Sequence, residues 1–128
     1  MPRITTLWMI AAVALALPTA SFAQSQPKDA KEPPLTGNVA FGKILYDKAC
    51  MSCHGMTGTG TDKGPPFLHR VYHPGHHGDA SFFHAVQQGV KAHHWRFGDM
   101  KAVPGLGQRE IELIVGYVRA LQKMNGLF

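Results

Sequence analysis

From residue 37 onward the apolar positions cluster into three stretches with helical spacing, separated by long irregular stretches. Val39, Phe41, Ile44, Leu45 and Ala49 predict one apolar stripe along a helix, with Asn38 as its N-cap. Phe82, Phe83 and Val86 predict a short helix that Asp79 would cap and Gly89 would close. Ile111, Ile114, Val118 and Leu121 advance by threes and fours along a third helix, opened at Gly107. Arg119 and Lys123 suit the negative end of its dipole. No segment alternates as a strand does, so the predicted class is all-α.

The remaining stretches, residues 55–78 and 90–107, are dense in Gly, Pro and His. Loops of that length seldom hold themselves in place, and three short helices bury a small core for so much irregular chain. Something large and apolar is therefore expected at the centre. Residues 24–36 are rich in Pro, Lys, Glu and Ser and read as a disordered tail, leaving a domain over residues 37–128. Residues 1–23 read as a secretory signal peptide: Arg3, an apolar run from Leu7 to Leu17, then small residues ending in Ala23, after which cleavage is expected. The run is shorter than the roughly 20 apolar residues that span a bilayer. The expected location is the periplasm, with membrane contact only through a partner complex or an uncleaved signal.

A chain of 128 residues allows one such domain. Its 13 Lys and Arg against 8 Asp and Glu make it mildly basic, with a formal charge of +5. These basic residues are scattered and lack the interleaved aromatics of a single-strand groove, which excludes nucleic acid as the expected partner. A mildly positive surface instead steers toward an acidic protein.

Both cysteines fall in Cys50-Met51-Ser52-Cys53-His54, a complete C-x-x-C-H run. Two thiols three residues apart at a helix end can form thioethers with the two vinyl groups of one porphyrin. His54, next to the second thiol, is then placed to ligate the iron. A zinc site would need further paired ligands, and the chain has no other Cys. A redox-active dithiol would need a βαβ context that the pattern lacks.

With Gly42-Lys43-Ile44-Leu45-Tyr46 ahead of that motif, and Ile114 and Tyr117 on the last helix, the chain from Gly37 to Leu121 resembles the class I cytochrome c family. The resemblance implies short helices and long loops wrapped around one covalent haem c, with Gly42 and Tyr46 meeting the last helix. It implies a single-electron carrier rather than an enzyme, exchanging electrons with redox partner proteins. It also implies that Met100 supplies the sixth ligand and that the Pro65 carbonyl accepts the Nδ1 hydrogen of His54. Met51 and Met56 are too near the attachment loop to ligate from the other face, and Met124 lies beyond the last helix stripe. Lys101 departs from the family, where many members have Pro, and leaves His93 and His94 as rival ligands. Arg70, Trp95 and Arg96 are candidate donors to the propionates.

Two rival readings remain. A small haem peroxidase or nitrite-handling protein would need an open sixth position. A second metal site is the other, because the resemblance does not account for His73, His76 and His77 in one loop or His93 and His94 in another. The helix from Asp79 to Gln88 lies between these loops and would bring them to one side. Imidazoles so gathered can bind copper or zinc, pointing to copper handling or docking to a copper oxidase.

Overall fold

The computed structural model describes residues 29–128; the expected signal peptide and the first part of the expected tail lie outside the described residues. Four helices follow in order: α1 (Gly37–Ala49), α2 (Met51–His54), α3 (Asp79–Gln88) and α4 (Gln108–Met124), with a 3₁₀ turn at Arg70–Tyr72. Among the described residues no strand forms, and one isolated antiparallel bridge joins Val90 to Met100. The all-α class read from the pattern is the one observed.

The face of α4 predicted by its threes and fours is buried throughout: Ile111, Ile114, Val118 and Leu121, joined by Val115 and Tyr117. This one helix feeds both apolar clusters of the domain. Ile114, Tyr117, Val118 and Leu121 pack with Tyr46 and Phe67, whereas Ile111 and Val115 pack with Val86 of α3. The helix opens at Gly107, whose N–H donates to the Glu110 carboxylate at 2.8 Å.

α1 crosses α4 at Gly42. A Cβ placed there would overlap the Leu113 carbonyl and come within 3.0 Å of the Tyr117 Cβ, so the two backbones meet only because this position has no side chain. One turn on, Tyr46 is fully buried with its ring 5.1 Å from that of Tyr117. The stripe predicted on α1 is only partly buried: Val39 and Leu45 pack against the core, whereas Phe41 and Ile44 do not. Phe41 and Ile44 are 62% and 52% exposed. The crossing line runs through residues 42 and 46, and positions 41 and 44 fall roughly 100° and 200° around the helix from Gly42.

Two predicted caps also differ. Thr36 is the extended residue flanking α1, and its carbonyl accepts the Val39 N–H at 3.1 Å, so Asn38 lies inside the first turn. At α3 Gly78 takes the flanking conformation, while Asp79 becomes the first helical residue and its carboxylate is drawn to Arg119 Nε at 2.7 Å. The expected disorder of the tail does not extend over residues 31–33. Lys31 exchanges two hydrogen bonds of 2.8 Å with the Asn125 side chain, Glu32 accepts from the Tyr117 hydroxyl at 3.0 Å, and Pro33 is buried. A composition poor in apolar residues did not reveal a segment held by polar contacts.

The first long loop is held from α4. The Gln122 side chain, fully buried, donates to the carbonyls of Phe67 at 2.8 Å and Tyr72 at 3.2 Å. Arg119 donates to the carbonyls of Tyr72 at 2.8 Å and His77 at 2.6 Å. The second loop leaves α3 at Gly89, whose φ of 78° favours glycine, and returns through the Val90–Met100 bridge.

Gly42 and Gly116, both in helix interiors, should respond oppositely to alanine. Gly42→Ala should lower the stability of the holoprotein by about 1–3 kcal/mol through overpacking. Gly116, exposed and with no atom within 4 Å of a built Cβ, should gain up to ~1 kcal/mol from helix propensity when changed to Ala. Denaturant midpoints at unchanged slope measure both, and equal effects would show that the crossing is not sterically limited.

Candidate functional site

α1 ends at Ala49, and Cys50 leaves helical geometry at φ −123° and ψ −33° before α2 begins. Hydrogen bonds from the Cys50 N–H to Tyr46 at 2.8 Å and from the His54 N–H to Cys50 at 2.9 Å carry the helix through this break. Gly55, at φ 80°, stops it, and its carbonyl accepts the buried Tyr46 hydroxyl at 2.6 Å. The C-x-x-C-H run thus turns away from the end of α1 in a fixed orientation.

His54 is 8% exposed. Its Nδ1 lies 2.9 Å from the Pro65 carbonyl, and its ring stacks on Phe67 with centroids 4.1 Å apart. A carbonyl can only accept, so Nδ1 carries the hydrogen and Nε2 is left with a free lone pair. Burial holds the imidazole below its ordinary range, against the opposing pull of the Pro65 bond, and so keeps it neutral. Burial, with the neighbouring Cys53 as a second cause, pushes the Cys50 thiol up to about 11. That is the reverse of the lowered value that makes a dithiol redox-active. The two cysteines are not joined in a disulfide.

Cys50 and His54 border a cavity of about 810 Å³, within the roughly 300–1,000 Å³ of small-molecule sites. Its walls are mainly apolar: Phe82 and Val86 from α3, and Ile111, Ile114, Val115 and Val118 from α4. Met100 and Trp95 line it from the second loop, and Pro65 and Phe67 from the first. Met100 is half-buried, its N–H and carbonyl both paired with Val90 at 2.9 Å. The Lys91–Asp99 ion pair, at 2.6 Å, closes the same loop one residue further out. The Trp95 indole N–H is buried and has no hydrogen-bond partner among the described residues. Nearby Tyr72 has its hydroxyl pushed up to about 12 by burial, against a smaller opposing pull from the Trp95 indole N–H, which approaches it without reaching hydrogen-bond geometry.

A model of the family described as Cytochrome c matches residues 39–122. The chain belongs to the cytochrome c family. No curated protein and no solved structure matches it. Cytochromes of this family bind haem c covalently and pass electrons to redox partners, and the cavity of this cytochrome fits that group. The Cys50 thiol and a neutral imidazole with a free Nε2 stand at an apolar space, and the orphaned Trp95 N–H needs an acceptor such as a propionate oxygen.

Cys50, His54, Pro65 and Met100 all line this one cavity, and Cys53 sits one turn after Cys50 on α2 without lining it. Of the three residues suggested as propionate donors, Trp95 lines the cavity, while Arg70 and Arg96 are exposed and do not. The rivals for the sixth position, His93 and His94, also border it, and of the two only His94 has its Nε2 turned to another side chain. His94 Nε2 lies 3.3 Å from His76 Nε2, and His93 Nδ1 donates to the Lys91 carbonyl at 2.7 Å. Sequence reasoning missed Phe67, the floor under His54, although it is the one aromatic between residues 55 and 71. It also missed Gln122 and the clamping role of Arg119, for which the sequence offers no signal beyond their polarity on a helix.

Haem should stay with the protein through acid-acetone extraction, which releases haem held by ligands alone. Replacing both Cys50 and Cys53 by Ser should abolish retention, measured by absorbance of the extracted pellet. Complete extraction from the unaltered protein would contradict covalent attachment.

Proposed function

We propose that this cytochrome is an exported, periplasmic single-electron carrier whose iron is held between His54 and Met100. When bound, haem supplies a one-electron couple of its iron. The reading of export rests on the N-terminal pattern of charge, apolar run and small residues. Among the described residues no helix is long and apolar enough to cross a membrane.

One observation carries the ligand assignment. Met100 lines the same cavity as His54 from a loop pinned at that residue by the Val90 bridge, whereas the rival His94 has its Nε2 turned to His76. The two ligands pull the couple in opposite directions. Donation from His54 Nδ1 to Pro65 makes Nε2 more basic and favours the ferric state, whereas a thioether favours the ferrous state. The apolar walls from α3 and α4 add to the second effect by excluding water from an extra positive charge. Both ligand segments are tied to neighbouring backbone, so the change of oxidation state requires little movement.

A carrier needs a closed sixth position, which separates this role from peroxidase or nitrite chemistry. The alternative of copper handling draws its support from the imidazoles gathered on the cavity rim. The redox partners are proteins able to approach that rim, and the mild positive charge favours acidic ones.

Ferric protein should show the near-infrared sulfur-to-iron charge-transfer band, and Met100→Ala should lose it. Met51→Ala, Met56→Ala and Met124→Ala should keep it. A band that survives Met100→Ala would refute the assignment, and absence of the band from the unaltered protein would turn the assignment to histidine.

A further inference from the structure

Two loops that carry no part of the haem attachment motif bring imidazoles together on the cavity rim. The ligand nitrogens of His76, His77 and His94 all lie within 4.8 Å of one another, with no acidic group among them. His76 Nε2 and His94 Nε2 face each other at 3.3 Å. His77 donates its Nδ1 hydrogen to the Val71 carbonyl at 2.7 Å, which leaves its Nε2 free. A backbone carbonyl fixing one ring nitrogen so that the other can ligate is the usual support of a metal-bound histidine.

The cluster is built on anchored backbone. The turn carrying His76 and His77 is closed by their N–H groups on the His73 carbonyl, at 2.8 and 2.9 Å. Arg119 of α4 grips the His77 carbonyl at 2.6 Å with a side chain only 13% exposed. His94 stands on the loop whose base is closed by the Val90–Met100 bridge and the Lys91–Asp99 pair. Of the other histidines on these loops, His73 is turned away: its Nδ1 accepts the Gly75 N–H at 3.0 Å and its ring meets Phe128. His93 lies against His94, with ring centroids 4.4 Å apart, outside the convergent trio.

We propose that His76, His77 and His94 form a mononuclear site for a tetrahedral divalent transition-metal ion, Zn²⁺ being the representative, with the fourth position left to water. Imidazole suits such borderline ions. A tetrahedron with metal–nitrogen bonds of about 2.0–2.1 Å has edges of about 3.3 Å. The His76–His94 separation of 3.3 Å matches that edge. A square-planar ion at similar bond lengths would need adjacent nitrogens about 2.9 Å apart. Metal binding would draw in the His77 nitrogen, which lies within 4.8 Å of the other two. The inference depends on the ligand assignment above only in that His94 must be free of the iron.

Calorimetric titration of purified ferric holoprotein with Zn²⁺ tests it, with the haem spectrum and near-infrared band recorded throughout. One equivalent should bind. His76→Ala and His94→Ala, both at exposed positions, should each weaken binding by about tenfold or more. His73→Ala should leave it unchanged, and the near-infrared band should persist in every variant. Absence of one-equivalent binding, or binding indifferent to the His76 and His94 variants, would overturn the site. Tight Cu²⁺ binding with a tetragonal magnetic spectrum, alongside weak Zn²⁺ binding, would overturn its tetrahedral geometry. If His94→Ala changed the iron spectrum, His94 would be an iron ligand, and this site and the Met100 assignment would fall together; failure of Zn²⁺ binding with the band intact removes this site alone.

Discussion

The approach of α1 to α4 at Gly42 is the constraint on which the rest of the structure depends. It sets the direction in which α1 ends, and the chain passes directly from that end into Cys50 and His54. The other helix of the crossing supplies four walls of the cavity those residues border: Ile111, Ile114, Val115 and Val118. Backbone contact at one residue thus registers the covalent attachment point against the apolar surface that will cover the porphyrin. Tyr46 reinforces the register from both ends, with its ring against Tyr117 and its hydroxyl on the Gly55 carbonyl that follows the motif.

The two loops complete the cavity in different ways. The first is threaded under His54, giving it a hydrogen-bond acceptor at Pro65 and a flat support at Phe67. The second stands as a closed excursion from Val90 to Met100, with the sulfur-bearing residue at its base and His93, His94 and Trp95 further out. One loop therefore offers groups to both the proposed axial position and the imidazole cluster. His94, held below the ordinary imidazole range by desolvation and by the nearby His93, His77, His76 and His69, is suited to remain an uncharged donor.

The helices and the attachment motif were legible because each is a local pattern. The α4 stripe and the spacing of Cys50, Cys53 and His54 required no knowledge of the remaining chain. The buried face of α1 was only partly legible from hydrophobicity: Val39 and Leu45 pack against the core, but Phe41 and Ile44 stay exposed because the helix turns toward α4 the face where Gly42 admits another backbone. Contacts across the loops were likewise hidden. Nothing in the spacing of His73, His76 and His77 distinguishes the one that turns to Phe128 from the two that turn to His94. Polar tethers such as Lys31 to Asn125 escape any argument built on apolar periodicity.

Arg119 spends its guanidinium on four acceptors at once: Asp79, the carbonyls of Tyr72 and His77, and the Gln122 side chain. The same group lies over the Phe82 ring at 4.9 Å. It joins the histidine-bearing turn, the start of α3 and the last helix, so opening the turn means breaking several of its contacts together. Releasing it breaks charge-assisted bonds to a cation that is itself largely buried, an event closer in free energy to global unfolding than to loop fraying. An exposed loop thereby acquires the rigidity of the core, and the imidazoles it carries meet an incoming ion with most of their ordering entropy already spent in folding.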